Sequence, residues 1–137
     1  MLLARDLMTV DPEYVSPTSP LREVIALMNQ HDCRHLPVLK DKQVVGIISD
    51  RDIRLVLNSP MLNLDPSQRL EVLDEVSAKD CMTRYPLTVS PDTPLHEIAG
   101  ILVRNKIGAV LVMRNESLEG IVTVVDLLNQ LALKPEL

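Results

Sequence analysis

The sequence is short of aromatic residues: it has no phenylalanine and no tryptophan, and Tyr14 and Tyr85 are its only tyrosines. Proteins that bind single-stranded nucleic acid stack bases on aromatic side chains, which this chain hardly offers. A basic excess is also missing, because 19 acidic residues outnumber 14 basic ones and give a formal net charge of −5. Since nucleic acids and anionic membrane surfaces attract basic proteins, neither is an expected partner.

Long apolar runs are missing as well. The longest, residues 107–113, is far shorter than the roughly 20 residues that a membrane-spanning helix needs. Arg5 and Asp6 stand where a signal peptide would carry its apolar stretch. We therefore expect no membrane segment and a cytoplasmic location. In such a compartment Cys33 and Cys81, which form no spacing motif, are expected to be free thiols.

The chain contains an internal repeat. A shift of 74 positions aligns residues 4–57 with 78–131 without a gap, and about 15 of these 54 positions are identical. A gapless period of this length indicates two copies of one supersecondary unit. We predict a first repeat at 1–57, a helical connector at 58–77 and a second repeat at 78–137. One repeat alone would bury too little surface for comfortable stability, so the two should pack together.

Each copy predicts the same order of elements: an extended segment, a helix, a strand, a turn, a strand and a helix. Ser19 and Thr93 each precede a proline, which predicts an N-cap followed by proline at the first helical position. Apolar residues then recur at helical spacing, and two β-branched runs around a polar turn follow as a hairpin. In the connector, Asp65-Pro66 predicts the start of another helix.

Two matching stretches, residues 46–53 and 120–127, each predict a strand that ends at a hydroxyl residue where a helix begins. Gly46 and Gly120 lie in these strands, where a missing side chain allows close approach of a ligand or another backbone. The pairs Ser49/Asp52 and Thr123/Asp126 follow at the N-cap and N3 positions.

This spacing has two interpretations. It is an ordinary capping box, in which both side chains serve their own helix. It also brings a hydroxyl and a carboxylate together beside the free N–H groups of a helix N-terminus, which suits a sugar and a phosphate. Repetition of the stretch favours the second interpretation.

The repeat and these stretches together resemble the CBS-domain family, specifically a tandem pair called a Bateman module. The resemblance covers roughly residues 3–133 and includes Asp6-x-Met8-Thr9, Asp80-x-Met82-Thr83, two Val-Ser-Pro steps and Arg34-His35-Leu36-Pro37-Val38. It implies an α/β fold of the α+β type. Each repeat would form a small three-stranded sheet with two main helices, and the repeats would pack with pseudo-two-fold symmetry around two clefts.

The resemblance also implies a ligand. In this family the clefts bind adenosine-containing compounds such as AMP, ADP, ATP or S-adenosylmethionine, with or without magnesium, as regulatory ligands rather than catalytic cofactors. By position, Asp52 and Asp126 would bind ribose hydroxyls, and Ser49 and Thr123 would lie by the ribose or phosphate. The remaining implied site residues are Thr9 and Thr83 near the base, the wall segment containing Arg34, His35 and Pro37, its counterpart Ala109, and Arg51 beside the first helix.

The two copies differ in charge at this site. Arg51 stands in the first copy where the second has Val125, and Arg34 and His35 have no polar counterpart in the second copy. We therefore expect a phosphorylated ligand to prefer the cleft of Ser49 and Asp52.

Other functional classes are less well supported. His31, Cys33 and His35 alternate as metal ligands on one strand face would, but they straddle a predicted helix-to-strand junction. A Cys–His catalytic pair would lack an orienting partner, so we expect no enzyme.

Apolar residues on more than one stripe of the helices at 95–103 and 124–133 predict a homodimer. The leading hypothesis is a regulatory, energy-sensing module that acts in trans on an unidentified protein. The alternative is a ligand-free scaffold or dimerisation protein in which the Ser49/Asp52 and Thr123/Asp126 pairs only cap their helices.

Overall fold

The computed structural model describes residues 1–59 and 63–133. Residues 60–62 of the predicted connector and 134–137 of the predicted second repeat lie outside this range. The helices are α1 (Ala4–Leu7), α2 (Leu21–His31), α3 (Asp50–Leu57), α4 (Pro66–Glu75), α5 (Ala78–Cys81), α6 (Leu95–Asn105) and α7 (Val124–Leu133). The strands are β1 (Thr9–Val10), β2 (His35–Lys40), β3 (Gln43–Ser49), β4 (Thr83–Arg84), β5 (Thr88–Val89), β6 (Ala109–Arg114) and β7 (Ser117–Thr123).

The chain forms two compact units: a central unit of residues 13–85 and a terminal unit that combines residues 1–12 with 86–137. The predicted mixed α/β class with two repeats is confirmed. Among the described residues no helix is both long enough and apolar enough to cross a bilayer.

The central unit is built on a three-stranded antiparallel sheet in the order β2-β3-β4. Strands β2 and β3 form the predicted hairpin, and residue Val15 adds a single parallel bridge to Val38. One face of the sheet packs against α2 and α3 through an aliphatic core. The buried members of this core are Val15, Leu21, Val24, Met28, Leu36, Val38, Ile48, Ile53 and Ala78. The connector contributes α4, which begins with the predicted Asp65 cap and Pro66 and lies beside α2.

The terminal unit repeats this plan with a four-stranded sheet in the order β1-β7-β6-β5. Strands β6 and β7 form the second hairpin, and β5 runs parallel to β6. The core again lies on one face of the sheet, against α6. Its buried members are Ala4, Leu7, Val89, Ile98, Leu102, Val110, Val112 and Val122.

The edge strands reveal an exchange between the repeats that the sequence analysis missed. Strand β1 precedes the rest of the first repeat but pairs with β7 of the second, with Thr9 opposite Ile121. Strand β4 lies near the start of the second repeat but pairs with β3 of the first, with Thr83 opposite Ile47. Each of these strands has two residues, too few to show a hydrophobic pattern, so only the folded structure identifies them.

The strand glycines are explained by this exchange. A Cβ added to Gly46 would lie 2.6 Å from Met82 Sδ and 2.8 Å from the carbonyl oxygen of Thr83. At Gly120 the same distances separate the added Cβ from Met8 Sδ and from the Thr9 carbonyl oxygen. Of the two possibilities left open by the sequence, the structure shows close approach of another backbone.

The starts of α2 and α6 differ from the prediction. The N-caps are Pro20 and Pro94, not Ser19 and Thr93. The Ser19 and Thr93 hydroxyls instead accept hydrogen bonds from the backbone N–H groups of Ser16 and Ser90, each at 3.0 Å. These hydroxyls therefore close the preceding turn, and the helix begins one residue later than expected.

We expect Gly46→Ala to lower the free energy of unfolding by about 1–3 kcal/mol, as overpacking of a filled site does. The Met82 side chain could move aside, but the Thr83 carbonyl belongs to the paired strand and cannot. Urea unfolding followed by circular dichroism measures the change. Gly100→Ala on α6 is the matched control, because its added Cβ meets only the flexible end of Arg104. A Gly46→Ala variant as stable as the wild type would contradict the close-contact explanation.

Candidate ligand-binding site

The first predicted corner joins β3 to α3 in the central unit. The backbone N–H of Ser49 donates to Asp52 Oδ2 at 2.9 Å, and the N–H of Asp52 donates to Ser49 Oγ at 3.1 Å. These reciprocal bonds are a capping box, and both residues are half-buried. Because Ser49 Oγ accepts in this box, its own hydrogen is free to donate to a bound group.

The second corner joins β7 to α7 in the terminal unit. The N–H of Thr123 donates to Asp126 Oδ2 at 2.7 Å, and the Thr123 hydroxyl donates to the same oxygen at 3.2 Å. Both residues are again half-buried. The hydroxyl hydrogen is therefore used inside the box, which leaves Thr123 Oγ1 as an acceptor.

Capping alone does not distinguish these corners from the rest of the chain. The aspartates of α1 and α5 make the same contact, from Leu3 N–H to Asp6 Oδ2 at 2.9 Å and from Ser77 N–H to Asp80 Oδ2 at 3.0 Å. Both of those aspartates are exposed, whereas Asp52 and Asp126 are half-buried at the end of a sheet. Within the described part of the chain, neither Asp52 Oδ1 nor Asp126 Oδ1 receives a hydrogen bond. Each half-buried corner thus keeps one carboxylate oxygen for another donor.

Strand register places four of the predicted site residues of the central unit, His35, Pro37, Ser49 and Thr83, on one face of the sheet. Leu36 and Ile48 face the core, so the alternate residues His35, Pro37 and Ser49 lie on the opposite face. His35 pairs directly with Ser49, and Pro37 pairs with Ile47. Thr83 of β4 also pairs with Ile47 and so shares that face. The predicted residues in this unit are Arg34, His35, Pro37, Ser49, Arg51, Asp52 and Thr83.

The terminal unit has the same register with fewer polar groups. Ala109 pairs with Thr123 at the corner, on the sheet face opposite the core residues Val110 and Val122. Thr9 of β1 pairs with Ile121, two residues before Thr123. The predicted residues in this unit are Thr9, Ala109, Thr123 and Asp126.

The two corners differ in the residues that flank them in the chain, which include Arg34 and Arg51 at the first and Gly108 and Val125 at the second. The N–H of Asp50 donates to the carbonyl of Arg34 at 2.9 Å, which holds the backbone of Arg34 beside the start of α3. At the second corner the equivalent bond runs from Val124 to Gly108 at 3.0 Å, and Val125 replaces Arg51. Burial lowers the pKa of His35 and favours its neutral form, although the carboxylates of Asp50 and Asp52 act in the opposite direction.

A surface cavity of about 380 Å³ in the central unit is lined by Arg51, Arg54, Leu55 and Asn58 of α3. It includes one predicted site residue, Arg51, and lies along the helix rather than at the Ser49 corner. The cavity therefore does not by itself identify the predicted ligand site.

The three candidate metal ligands lie on different segments of the chain. His31 ends α2, Cys33 follows the helix, and His35 begins β2. Over residues 1–59 and 63–133 no group of three or more histidine, cysteine or acidic side chains is placed to hold a metal. Both cysteines are free and half-buried, and burial raises the pKa of each thiol. A raised pKa disfavours the thiolate that a nucleophile or metal ligand requires.

The sequence analysis missed Met8 and Met82 as supports of the site. Each lies against a strand glycine and immediately precedes a predicted site threonine, so it helps to hold that threonine's strand in place. The signal was present in the sequence, because both methionines stand at matching positions of the two copies.

Comparisons with known proteins agree with this architecture. The family model described as "CBS domain" matches residues 4–59 and 78–133. The chain is similar to the uncharacterised protein YlbB of Bacillus subtilis, at 30% identity over 129 residues that cover 93% of this chain and 80% of YlbB.

Two solved structures are also similar. A putative acetoin utilization protein (AcuB) from Vibrio cholerae has 29% identity and a TM-score of 0.77, covering 100% of this chain and 98% of the other. CBSX2, solved in complex with AMP, has 26% identity and a TM-score of 0.77, and the match covers 100% of both chains. The chain therefore belongs to the CBS-domain family, as a tandem pair of CBS domains.

Proposed function

We propose that this chain is a regulatory module that binds an adenosine-containing ligand at its two strand-to-helix corners and acts in trans on an unidentified protein. The observation that carries the proposal is the half-buried Ser49/Asp52 corner, where the capping box leaves one carboxylate oxygen and one hydroxyl hydrogen unused. The crystal structure of the relative CBSX2 contains AMP, which supports an adenine nucleotide as the ligand class.

Each group at the first corner has a chemical role in this proposal. Asp52 Oδ1 accepts a hydrogen bond from a ribose hydroxyl, and the Ser49 hydroxyl donates to a phosphate oxygen. Arg51 and Arg34 supply positive charge near the N-terminus of α3, where anions are stabilised. Thr83 and Pro37 lie on the same sheet face and form part of the wall toward the base.

The second corner supports a less charged ligand. Asp126 keeps an oxygen for a ribose hydroxyl, but Val125 and Gly108 offer no cation, and the Thr123 hydroxyl hydrogen is directed at Asp126. A nucleoside without phosphate, or no ligand, suits this corner better than a nucleotide. Thr9 and Ala109 complete its predicted lining.

The module is proposed to be non-catalytic and dimeric. Ligand binding changes the balance between two arrangements of the module only through its different affinity for them, and a partner protein responds to that balance. Exposed apolar residues on α6 and α7 support the dimer. The competing function is a ligand-free scaffold. The same exposed apolar residues favour it, because they offer an assembly surface that needs no ligand.

We expect Asp52→Ala to weaken AMP binding ten- to a hundredfold, because a charge-assisted hydrogen bond contributes about 1.5–3 kcal/mol. Isothermal titration calorimetry with wild type and variant measures the change. Asp80→Ala is the matched control, because Asp80 holds the same N3 position in an exposed capping box. Both variants should lose similar stability, about 0.5–2 kcal/mol, but only Asp52→Ala should lose affinity.

Unchanged AMP affinity in the Asp52→Ala variant would show that the box only caps α3. If the wild type bound none of AMP, ADP, ATP and S-adenosylmethionine, the ligand-free scaffold would be the better description.

Replacing Arg51 with valine makes the first corner resemble the second, so we expect Arg51→Val to weaken AMP binding about three- to tenfold. Adenosine, which has no phosphate, should bind both proteins equally well. The reduction should shrink in high salt because Arg51 is exposed. Calorimetric titrations with AMP and adenosine at two salt concentrations test this, and an equal loss for both ligands would argue against a phosphate contact.

A further inference from the structure

We propose that Met8 and Met82 make the two exchanged strands, β1 and β4, sensitive to oxidants: conversion of these thioethers to sulfoxides loosens both strands. Each strand carries a threonine of the candidate site, Thr9 or Thr83. The loosening needs no ligand, and only its effect on AMP binding rests on the proposed function.

Each methionine fills the space above a strand glycine. The Sδ atom of Met82 lies 2.6 Å from the position that a Cβ on Gly46 would take. Met8 Sδ lies at the same distance from the corresponding position on Gly120. The thioether is therefore packed directly on the backbone of the neighbouring strand, and each contact lies inside one compact unit.

The same thioethers also touch the aliphatic cores. Met82 packs against the core of the central unit, and Met8 packs against the core of the terminal unit. Oxidation turns a flexible, apolar side chain into a polar one. Because a polar group loses free energy when it moves from water into apolar surroundings, the sulfoxide no longer favours this packed position.

Both methionines are accessible to a small oxidant, because both are half-buried and each precedes an exposed threonine. Met28 provides a contrast: it lies in the core with 5% of its surface exposed and should resist oxidation. Burial raises the pKa of Cys81, the residue before Met82. Little of this thiol is then thiolate, the form that reacts with peroxide.

The reaction is a two-electron oxidation of sulfur by hydrogen peroxide. A sulfur lone pair attacks one peroxide oxygen, so that an S–O bond forms while the O–O bond breaks. The proton of the attacked oxygen passes to the departing hydroxide, which leaves as water. Methionine sulfoxide reductases reverse the change with two thiols, which become a disulfide as the oxygen is released in water. The modification is therefore a reversible one.

The loosened strands carry residues of the candidate site. Met82 directly precedes Thr83, which pairs with β3, and Met8 directly precedes Thr9, which pairs with β7. Each exchanged strand has only two residues, so few backbone hydrogen bonds hold it once the methionine contact weakens. We expect the oxidised chain to be less stable and to bind AMP more weakly.

Peroxide treatment of the full chain tests the proposal. Dithiothreitol added afterwards reduces disulfides and sulfenic acids but leaves sulfoxides in place, and peptide mapping by mass spectrometry identifies the oxidised methionines. We expect the midpoint of urea unfolding of the treated wild type to fall by about 1 M. Sulfoxide reductase should restore it. The variant with Met8→Leu and Met82→Leu together, which conserves side-chain volume, should keep its own midpoint after the same treatment.

Met113→Leu is the matched control. Met113 is also half-buried, but it lies on β6 and its atoms are not among those nearest to either strand glycine. This variant should remain as sensitive to peroxide as the wild type. Sensitivity lost in Met113→Leu, or retained in the double leucine variant, would overturn the proposal. So would a wild type whose midpoint is unchanged after treatment that oxidises the exposed Met1 completely.

Calorimetric titration of AMP separates this proposal from the proposed function. Oxidation should weaken AMP binding by the wild type about three- to tenfold, and it should leave the double leucine variant at its own untreated affinity. A lowered urea midpoint with unchanged AMP affinity would contradict the link to the site. If the untreated chain bound no AMP, the proposed function would fail, and the urea midpoints would still decide whether oxidation loosens the strands.

Discussion

The contact between a methionine–threonine step of one repeat and a strand glycine of the other is the constraint on which the rest of the structure depends. Met82 and Thr83 lie directly over Gly46, and Met8 lies in the same way over Gly120. Each sheet is therefore completed by a segment of the opposite repeat. A repeat of this size buries little surface by itself, and the exchange makes each compact unit a product of both. It also pairs a predicted site threonine, Thr83 or Thr9, with the strand that leads into each corner.

The corners show why a short motif does not identify a ligand site. Asp6, Asp52, Asp80 and Asp126 all accept a hydrogen bond from the N-cap backbone, so all four have a structural role. What separates Asp52 and Asp126 from the exposed Asp6 and Asp80 is their half-buried position at the end of a hairpin sheet. Capping and ligand binding are thus compatible in one side chain, because a carboxylate has more acceptor sites than a helix start needs.

The two repeats share a backbone and differ in surface chemistry. In the first, Arg34 and Arg51 flank the corner in the chain, and α3 exposes Arg51 and Arg54. In the second, Gly108 and Val125 replace those arginines, and α7 exposes Val125 and Leu128. The second corner therefore lacks the arginines that stand at the first.

Much of this architecture could be predicted from the sequence because its signals are local. The gapless repeat established two copies, helical and strand periodicity located the main elements, and Asp65-Pro66 marked the connector helix. The capping spacing located both corners, and the replacement of Arg51 by Val125 in the second copy followed directly from aligning the two repeats.

Only the tertiary structure decided how the copies share their parts. The pairing of Thr83 with Ile47 joins residues far apart in the chain, and a two-residue strand has no periodicity to reveal it. The starts of α2 and α6 shifted to Pro20 and Pro94 because the preceding hydroxyls were used in turns. The sequence alone determined which residues could form each element and corner, since periodicity and capping act within a few residues. The fold determined what those residues contact, because contacts between distant segments depend on packing.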